Sequence, residues 1–206
     1  MPTHDPKTDQ DPERPPEDPE GAPVLQVLVA STRPGRLGRA YGEWIAARAE
    51  QHGAFAVELV DLAEVGLPFL DEPHHPRLGR YEHQHTRDWS ATVTRADAFV
   101  FVTPEYYHGY NAVLKNAIDF LHAEWRDKPV GFCSYGGVSA GTRAVQGLKQ
   151  VVAAVRMVPV FDGVFVPFAQ QFVVDGAVRA NEQMEAGATA MLDELARLVA
   201  LLRPGR

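Results

Sequence analysis

Three short segments carry side chains suited to gripping a ligand. They are Ser31-Thr32-Arg33-Pro34-Gly35-Arg36-Leu37-Gly38-Arg39, Pro104-Glu105-Tyr106-Tyr107-His108-Gly109-Tyr110 and Tyr135-Gly136-Gly137-Val138-Ser139-Ala140-Gly141. The first combines hydroxyls, glycines and three arginines. Where such a loop opens a helix, its N–H groups and the positive end of the helix dipole add to the charge of Arg33, Arg36 and Arg39, and the chemistry is phosphate binding. Neither G-x-G-x-x-G nor G-x-x-x-x-G-K-[ST] occurs, which argues against a dinucleotide Rossmann site and against an NTPase. A solvated basic turn is the plainer alternative.

The second segment suits a flat heterocycle. Pro104 fixes the backbone and removes a donor, Gly109 permits close approach, and Tyr106, Tyr107, His108 and Tyr110 offer rings to stack on or edge a ligand. A packed turn at a subunit interface is the competing reading, and a flat ligand at a dimer seam would satisfy both. In the third segment, glycines let backbone amides reach carbonyl or ring-nitrogen acceptors, although tight turn geometry alone would also explain them.

All three segments follow apolar runs and precede helical patterns. Val24–Ala30 reads as a first buried strand. Helical periodicity then places Tyr41, Trp44, Ile45 and Ala49 on one face from Gly38 to His52, and Gly53 ends it. Ala54–Leu62 is expected as strand two and Asp97–Val102 as strand three, the latter after a short helix over Thr86–Arg95. A helix is expected over Ala112–His122, a strand over Pro129–Ser134, a helix over Thr142–Arg156 and a strand over Met157–Val166. An irregular hairpin around Asp175-Gly176 and a closing helix over Glu182–Leu202 complete the pattern. Gly66–His85 receives no regular element and reads as a long loop. Alternating strands and helices predict a parallel sheet with helices on both faces, whose ligand crevice lies beyond the carboxyl ends of the strands.

Composition narrows the classes. The first 22 residues carry seven acids, two bases and repeated prolines, which predicts a disordered acidic tail ahead of one domain over 23–206. The tail supplies −5 of the net charge of −7 (2 − 7 = −5), leaving −2 on the folded part and favouring neither nucleic acid nor an anionic membrane. The lone Cys133 precludes an internal disulfide, and no apolar stretch approaches the roughly 20 residues that cross a bilayer, so a cytoplasmic protein is expected.

The sequence resembles the NAD(P)H-dependent FMN reductases of flavodoxin-like fold, with their quinone, azo-dye and chromate reductase relatives, from about Val24 to Leu202. The resemblance is carried by Ser31-Thr32-Arg33-Pro34-Gly35-Arg36, Thr103-Pro104-Glu105-Tyr106 and Leu114-Lys115-Asn116-Ala117-Ile118-Asp119. It implies a five-stranded parallel sheet in the order 2-1-3-4-5 as the centre of a three-layer α/β sandwich. It implies noncovalent FMN, with the phosphate at the loop bearing Ser31, Arg33, Arg36, Leu37, Gly38 and Arg39. The isoalloxazine would lie against Pro104, Glu105, Tyr106, Tyr107, His108 and Gly109 and against Tyr135, Gly136, Gly137, Ser139 and Gly141. Many relatives have Asn where this chain has Tyr107 and Ser where it has Gly109. Leu37 and Gly38 replace serines found in some relatives, which shifts phosphate binding toward arginine.

The expected activity is ping-pong reduction of a quinone, azo compound or flavin by NAD(P)H, in a homodimer or homotetramer. The alternative is a flavodoxin-like electron carrier or redox-responsive FMN-binding protein. His74, His75, His83 and His85 lack the cysteine partners or helical spacing of a metal site, so no metal is expected. Glu105 is expected to orient its loop rather than transfer protons, and Lys115 with Asp119 to form an exposed helical pair.

Overall fold

The computed structural model describes residues 21–202. The tail expected over 1–22 therefore falls, but for its last two residues, outside the described residues. Strands β1 (Val24–Val29), β2 (Ala56–Asp61), β3 (Ala98–Pro104), β4 (Pro129–Tyr135) and β5 (Val158–Val166) form one sheet in the order β2-β1-β3-β4-β5. Every neighbouring pair is parallel. Helices α1 (Gly38–His52), α2 (Leu62–Val65), α3 (Gln84–Arg95), α4 (Ala112–Asp119), α5 (Thr142–Ala154) and α6 (Glu182–Leu202) connect and cover it. A two-stranded ribbon of β6 (Val173–Val174) and β7 (Ala177–Val178) turns at Asp175-Gly176.

The side-chain period of two in a strand divides the core. Along β3, Ala98, Val100 and Val102 face a cluster with Tyr41 and Ile45 of α1 and Met191 and Leu195 of α6. Phe99 and Phe101 face the opposite cluster with Trp89 of α3, Leu114 of α4 and Leu148 of α5. All seven residues of β3 and of β4 are buried, as a central parallel strand covered on both faces requires.

Several boundaries differ from the sequence expectation. Helix α4 stops at Asp119 and not at His122; His122 leaves helical geometry (φ −138, ψ −60) and a 3-10 turn follows over Ala123–Trp125. That exit carries Trp125 into the aromatic cluster, with ring centroids 5.2 Å from Phe99 and 6.2 Å from Phe101. Burying a tryptophan outweighs one more helical turn. Helix α5 ends two residues early, before Arg156 takes the left-handed φ of 64. Strand β3 runs on through Pro104, paired with Tyr135.

The stretch from Gly66 to His83 is a loop with one 3-10 turn, Pro76–Leu78, and α3 begins at Gln84, two residues before the expected Thr86, so His85 lies in the helix. His74 pairs with Glu82 at 3.1 Å and His85 with Asp71 at 3.0 Å. Asn116 of α4 fastens its start, donating to the Pro68 carbonyl and accepting from the Leu70 N–H. Lys115 and Asp119 form the expected pair at 2.6 Å.

Candidate functional site: a mononucleotide cleft at the strand ends

The loop after β1 places Ser31 in the interior and leads to α1, whose N-cap is Leu37. No side chain caps this helix and its first turn holds no acid, so its leading N–H groups remain available to an anion. Ser31 Oγ and the Tyr135 hydroxyl are buried and neither completes a hydrogen bond of acceptable geometry. Both converge on Gly38: a Cβ there would lie 2.2 Å from Ser31 Oγ and 2.7 Å from the Tyr135 oxygen. Burial pushes the Tyr135 hydroxyl pKa up, which keeps it a neutral donor. Its ring stacks on Tyr41 at 5.3 Å, and Tyr41 in turn donates to the Ala169 carbonyl at 2.8 Å. An uncapped helix end beside two unsatisfied buried hydroxyls fits a monophosphate.

The three loop arginines do not stand alike. Arg36 donates to both oxygens of Asp61, at 2.6 and 2.7 Å, and to the Ser31 carbonyl. Arg39 donates to Glu43 at 2.7 Å, Glu64 at 2.8 Å and Asp61 at 3.2 Å. Arg33 is exposed and forms no ion pair among the described residues. The Asp61 side chain is fully buried. Burial would raise its pKa, but hydrogen bonds from Arg36, the Ala63 N–H and Arg39 outweigh that and hold it below the ordinary carboxylate value. Sequence reasoning did not single out Asp61; the available signal was the helix-start pattern Asp61-Leu62-Ala63-Glu64 at the end of a strand.

The other two loops meet the first at a cleft of about 500 Å³. Arg33, Arg36 and Leu37 form one end, with Pro104, Glu105 and Tyr106 on one side and Tyr135 and Gly136 below. The remaining wall, Phe168 to Gln171, was also absent from the sequence reading, although it too follows the carboxyl end of a strand. It is tied to the third loop by Phe168 N–H to Gly137 O (3.2 Å) and Ala169 N–H to Gly136 O (3.3 Å).

Glu105 joins the two ring-facing loops, accepting from Ser139 Oγ at 2.8 Å and from Arg143 Nε at 2.7 Å. Tyr106 and Gly109 exchange backbone hydrogen bonds at 3.0 and 2.9 Å, so Tyr107 and His108 form the tip of a tight turn, both left-handed (φ 47 and 67). Gly137 has open space around it, and Gly141 caps α5. The cleft therefore gathers the heads of all three loops, while Ser31, Gly38, Arg39, Tyr107, His108, Gly109, Gly137, Ser139 and Gly141 stand outside its lining.

A second cavity of about 500 Å³ opens on the other flank of the first loop, between Thr32, α2 and α4. Its side-chain polar groups are Thr32 and Asn116, the latter already spent on the neighbouring loop. The cleft holding Pro104, Tyr106 and Gly136 is the better match to a heterocycle. Among the described residues no group of three or more His, Cys, Asp or Glu is placed to hold a metal, and no helix is long and apolar enough to cross a membrane.

The Glu105 network makes the junction of the ring loops sensitive to acid. Burial would raise the Glu105 pKa, but Ser139 and Arg143 lower it on balance, as the partners of Asp61 do for that residue. A depressed folded pKa contributes stability that is complete above the ordinary values, about 3.9 for Asp and 4.3 for Glu, and is lost as pH falls through the folded values. Glu105→Gln is expected to lower thermal stability by about 1 kcal/mol, discounted for the exposure of Arg143, and to flatten the acid limb of a melting-temperature profile. A limb as steep as the wild type's would place the responsible carboxylates elsewhere.

An open parallel sheet in the order 2-1-3-4-5 with helices on both faces, and with loops gathered beyond the carboxyl ends of its strands, is the flavodoxin-like architecture. A model of the NADPH-dependent FMN reductase family matches residues 24–171. An NAD(P)H-dependent FMN reductase of Schizosaccharomyces pombe is 38% identical over 168 residues, covering 79% of this chain and 84% of the relative. An FMN-dependent NADPH-azoreductase of Staphylococcus saprophyticus is 28% identical over 127 residues, 61% of this chain and 67% of the relative. In fold, the chain is similar to the flavoenzyme NAD(P)H:(acceptor) oxidoreductase FerB of Paracoccus denitrificans, with a TM-score of 0.70, 21% identity and coverage of 87% of this chain and 98% of that one. The chain belongs to the NADPH-dependent FMN reductase family, which uses FMN with NAD(P)H as electron donor.

Proposed function

We propose that this protein uses FMN to pass reducing equivalents from NAD(P)H to a small planar acceptor such as a quinone, an azo compound or a free flavin. The observation that carries the reading is the continuous cleft from the uncapped start of α1 to the Pro104–Tyr106 and Tyr135–Gly136 loops. FMN supplies two-electron chemistry when bound. The chain's own part is positional: Ser31, Tyr135, Arg33 and the α1 N–H groups hold the phosphate, and Glu105 keeps the two ring loops at fixed separation. Tyr135, neutral at working pH, donates without titrating.

Donor and acceptor share one approach, between the Tyr106 side and the Phe168–Gln171 wall. Oxidised nicotinamide therefore leaves before the acceptor enters, and steady-state double-reciprocal plots are expected to be parallel. Anaerobic stopped-flow mixing with NADH and with NADPH should each be followed at the flavin absorbance band. Intersecting plots would require both substrates to be bound together, and no bleaching by either nicotinamide would rule out the oxidoreductase reading. We further propose that the protein works in the cytoplasm as a homodimer or homotetramer. The buried, unpaired Cys133 and the exposed rings of Phe69, Tyr107 and Phe168 support that setting.

A further inference from the structure

Asp61 lies at the end of β2, outside the cleft lining, yet it is the most heavily engaged carboxylate near the first loop. Its side chain is fully buried and it accepts two hydrogen bonds from Arg36, one from Arg39 and one from the Ala63 N–H. Arg36 also grips the Ser31 carbonyl, so a continuous chain of contacts runs from the end of β2, through one guanidinium, to the backbone of the residue whose hydroxyl faces Gly38. A buried carboxylate persists only when paired and hydrogen-bonded. Here the pairing fixes the shape of a loop that no regular structure supports between Val29 and Gly38. With Arg36 and Arg39 so committed, Arg33 is the loop arginine without a carboxylate partner among the described residues.

We propose that Asp61 is a positioning residue for the cofactor phosphate: through Arg36 it holds the loop after β1 in the form that brings Ser31, Arg33 and the first turn of α1 around one anion. Arg36 is then a strut and not itself a principal phosphate ligand. The inference rests on the reading that the phosphate binds at this loop.

The test compares FMN with riboflavin, which has the same ring and no phosphate. Each is titrated by flavin fluorescence into full-length protein stripped of flavin, for the wild type, Asp61→Asn, Arg36→Gln and the double variant. Wild type is expected to prefer FMN. In each single variant that preference should shrink by about tenfold or more, as when a supporting shell is removed, while riboflavin affinity changes less than about twofold. The double variant should be no worse than either single one, because the pair acts as a unit.

A merely structural role would weaken both flavins alike. Should Asp61→Asn fail to fold, Arg36→Gln interrupts the same strut from its solvent-facing end and carries the same expectation. Unchanged FMN preference would overturn the proposal. So would tighter FMN binding in Asp61→Asn, which would make Asp61 a competitor for Arg36. A wild type that binds both flavins equally would instead remove the underlying assignment of the phosphate.

Discussion

Gly38→Ala is expected to abolish tight FMN binding while leaving the sheet folded. The new methyl would stand 2.2 Å from Ser31 Oγ, 2.7 Å from the Tyr135 oxygen and 3.3 Å from Val29 Cγ1. Overpacking of this kind costs about 1–3 kcal/mol, partly offset by the roughly 1 kcal/mol gained when alanine replaces glycine in a helix. Net stability should therefore move little. The two hydroxyls must turn away, however, and each hydrogen bond lost to a charged group is worth about 1.5–3 kcal/mol, so affinity should fall at least about tenfold. Flavin content after gel filtration, followed by titration with FMN, gives the measurement. Full retention of FMN would mean that the phosphate does not depend on this cradle.

The second large effect belongs to Gly141, which caps α5 in the left-handed region with φ +81. A Cβ there would lie 2.7 Å from Ser134 Cβ and 2.8 Å from the Tyr135 backbone nitrogen. Backbone cannot swing aside as a side-chain tip can. Gly141→Ala should destabilise by about 2–4 kcal/mol, combining overpacking with about 1 kcal/mol or more for the left-handed alanine. For a domain of this size that is a fall of roughly 5–15 °C in melting temperature. Because Tyr135 and Gly136 floor the cleft, flavin retention should fall with it. A variant melting with the wild type would show that the turn can relax at little cost.

The elements most legible in sequence were those whose signal is local. The alternation along β3 fills both faces of the sheet, and the period of Tyr41, Trp44, Ile45 and Ala49 fixes α1 between Gly38 and Gly53, with Gly53 in the left-handed region (φ 76). The closing helix occupies the expected Glu182–Leu202. What sequence could not supply was long-range. Asp61 and Arg36 are 25 positions apart and meet because β1 and β2 run parallel and end together. Phe168 and Ala169 join the cleft through hydrogen bonds to Gly137 and Gly136 on the neighbouring strand's loop and from the Tyr41 hydroxyl of α1 to the Ala169 carbonyl. The ring loops were legible as aromatic and glycine-rich, but the tie between them through Glu105 and Arg143, 38 positions apart, depends on the β3–β4 pairing.

The wall formed by Phe168 to Gln171 also makes the cleft a late product of the chain. A ribosome delivers β1 and the loop after it early, but the cleft lacks a side until β5 has joined β4 and the segment after Val166 has settled over Gly136. Parallel strands reward the chain only after long loops have closed, so this closure comes late in folding. A cleft with all of its walls therefore exists only once the last strand of the sheet has joined its neighbour.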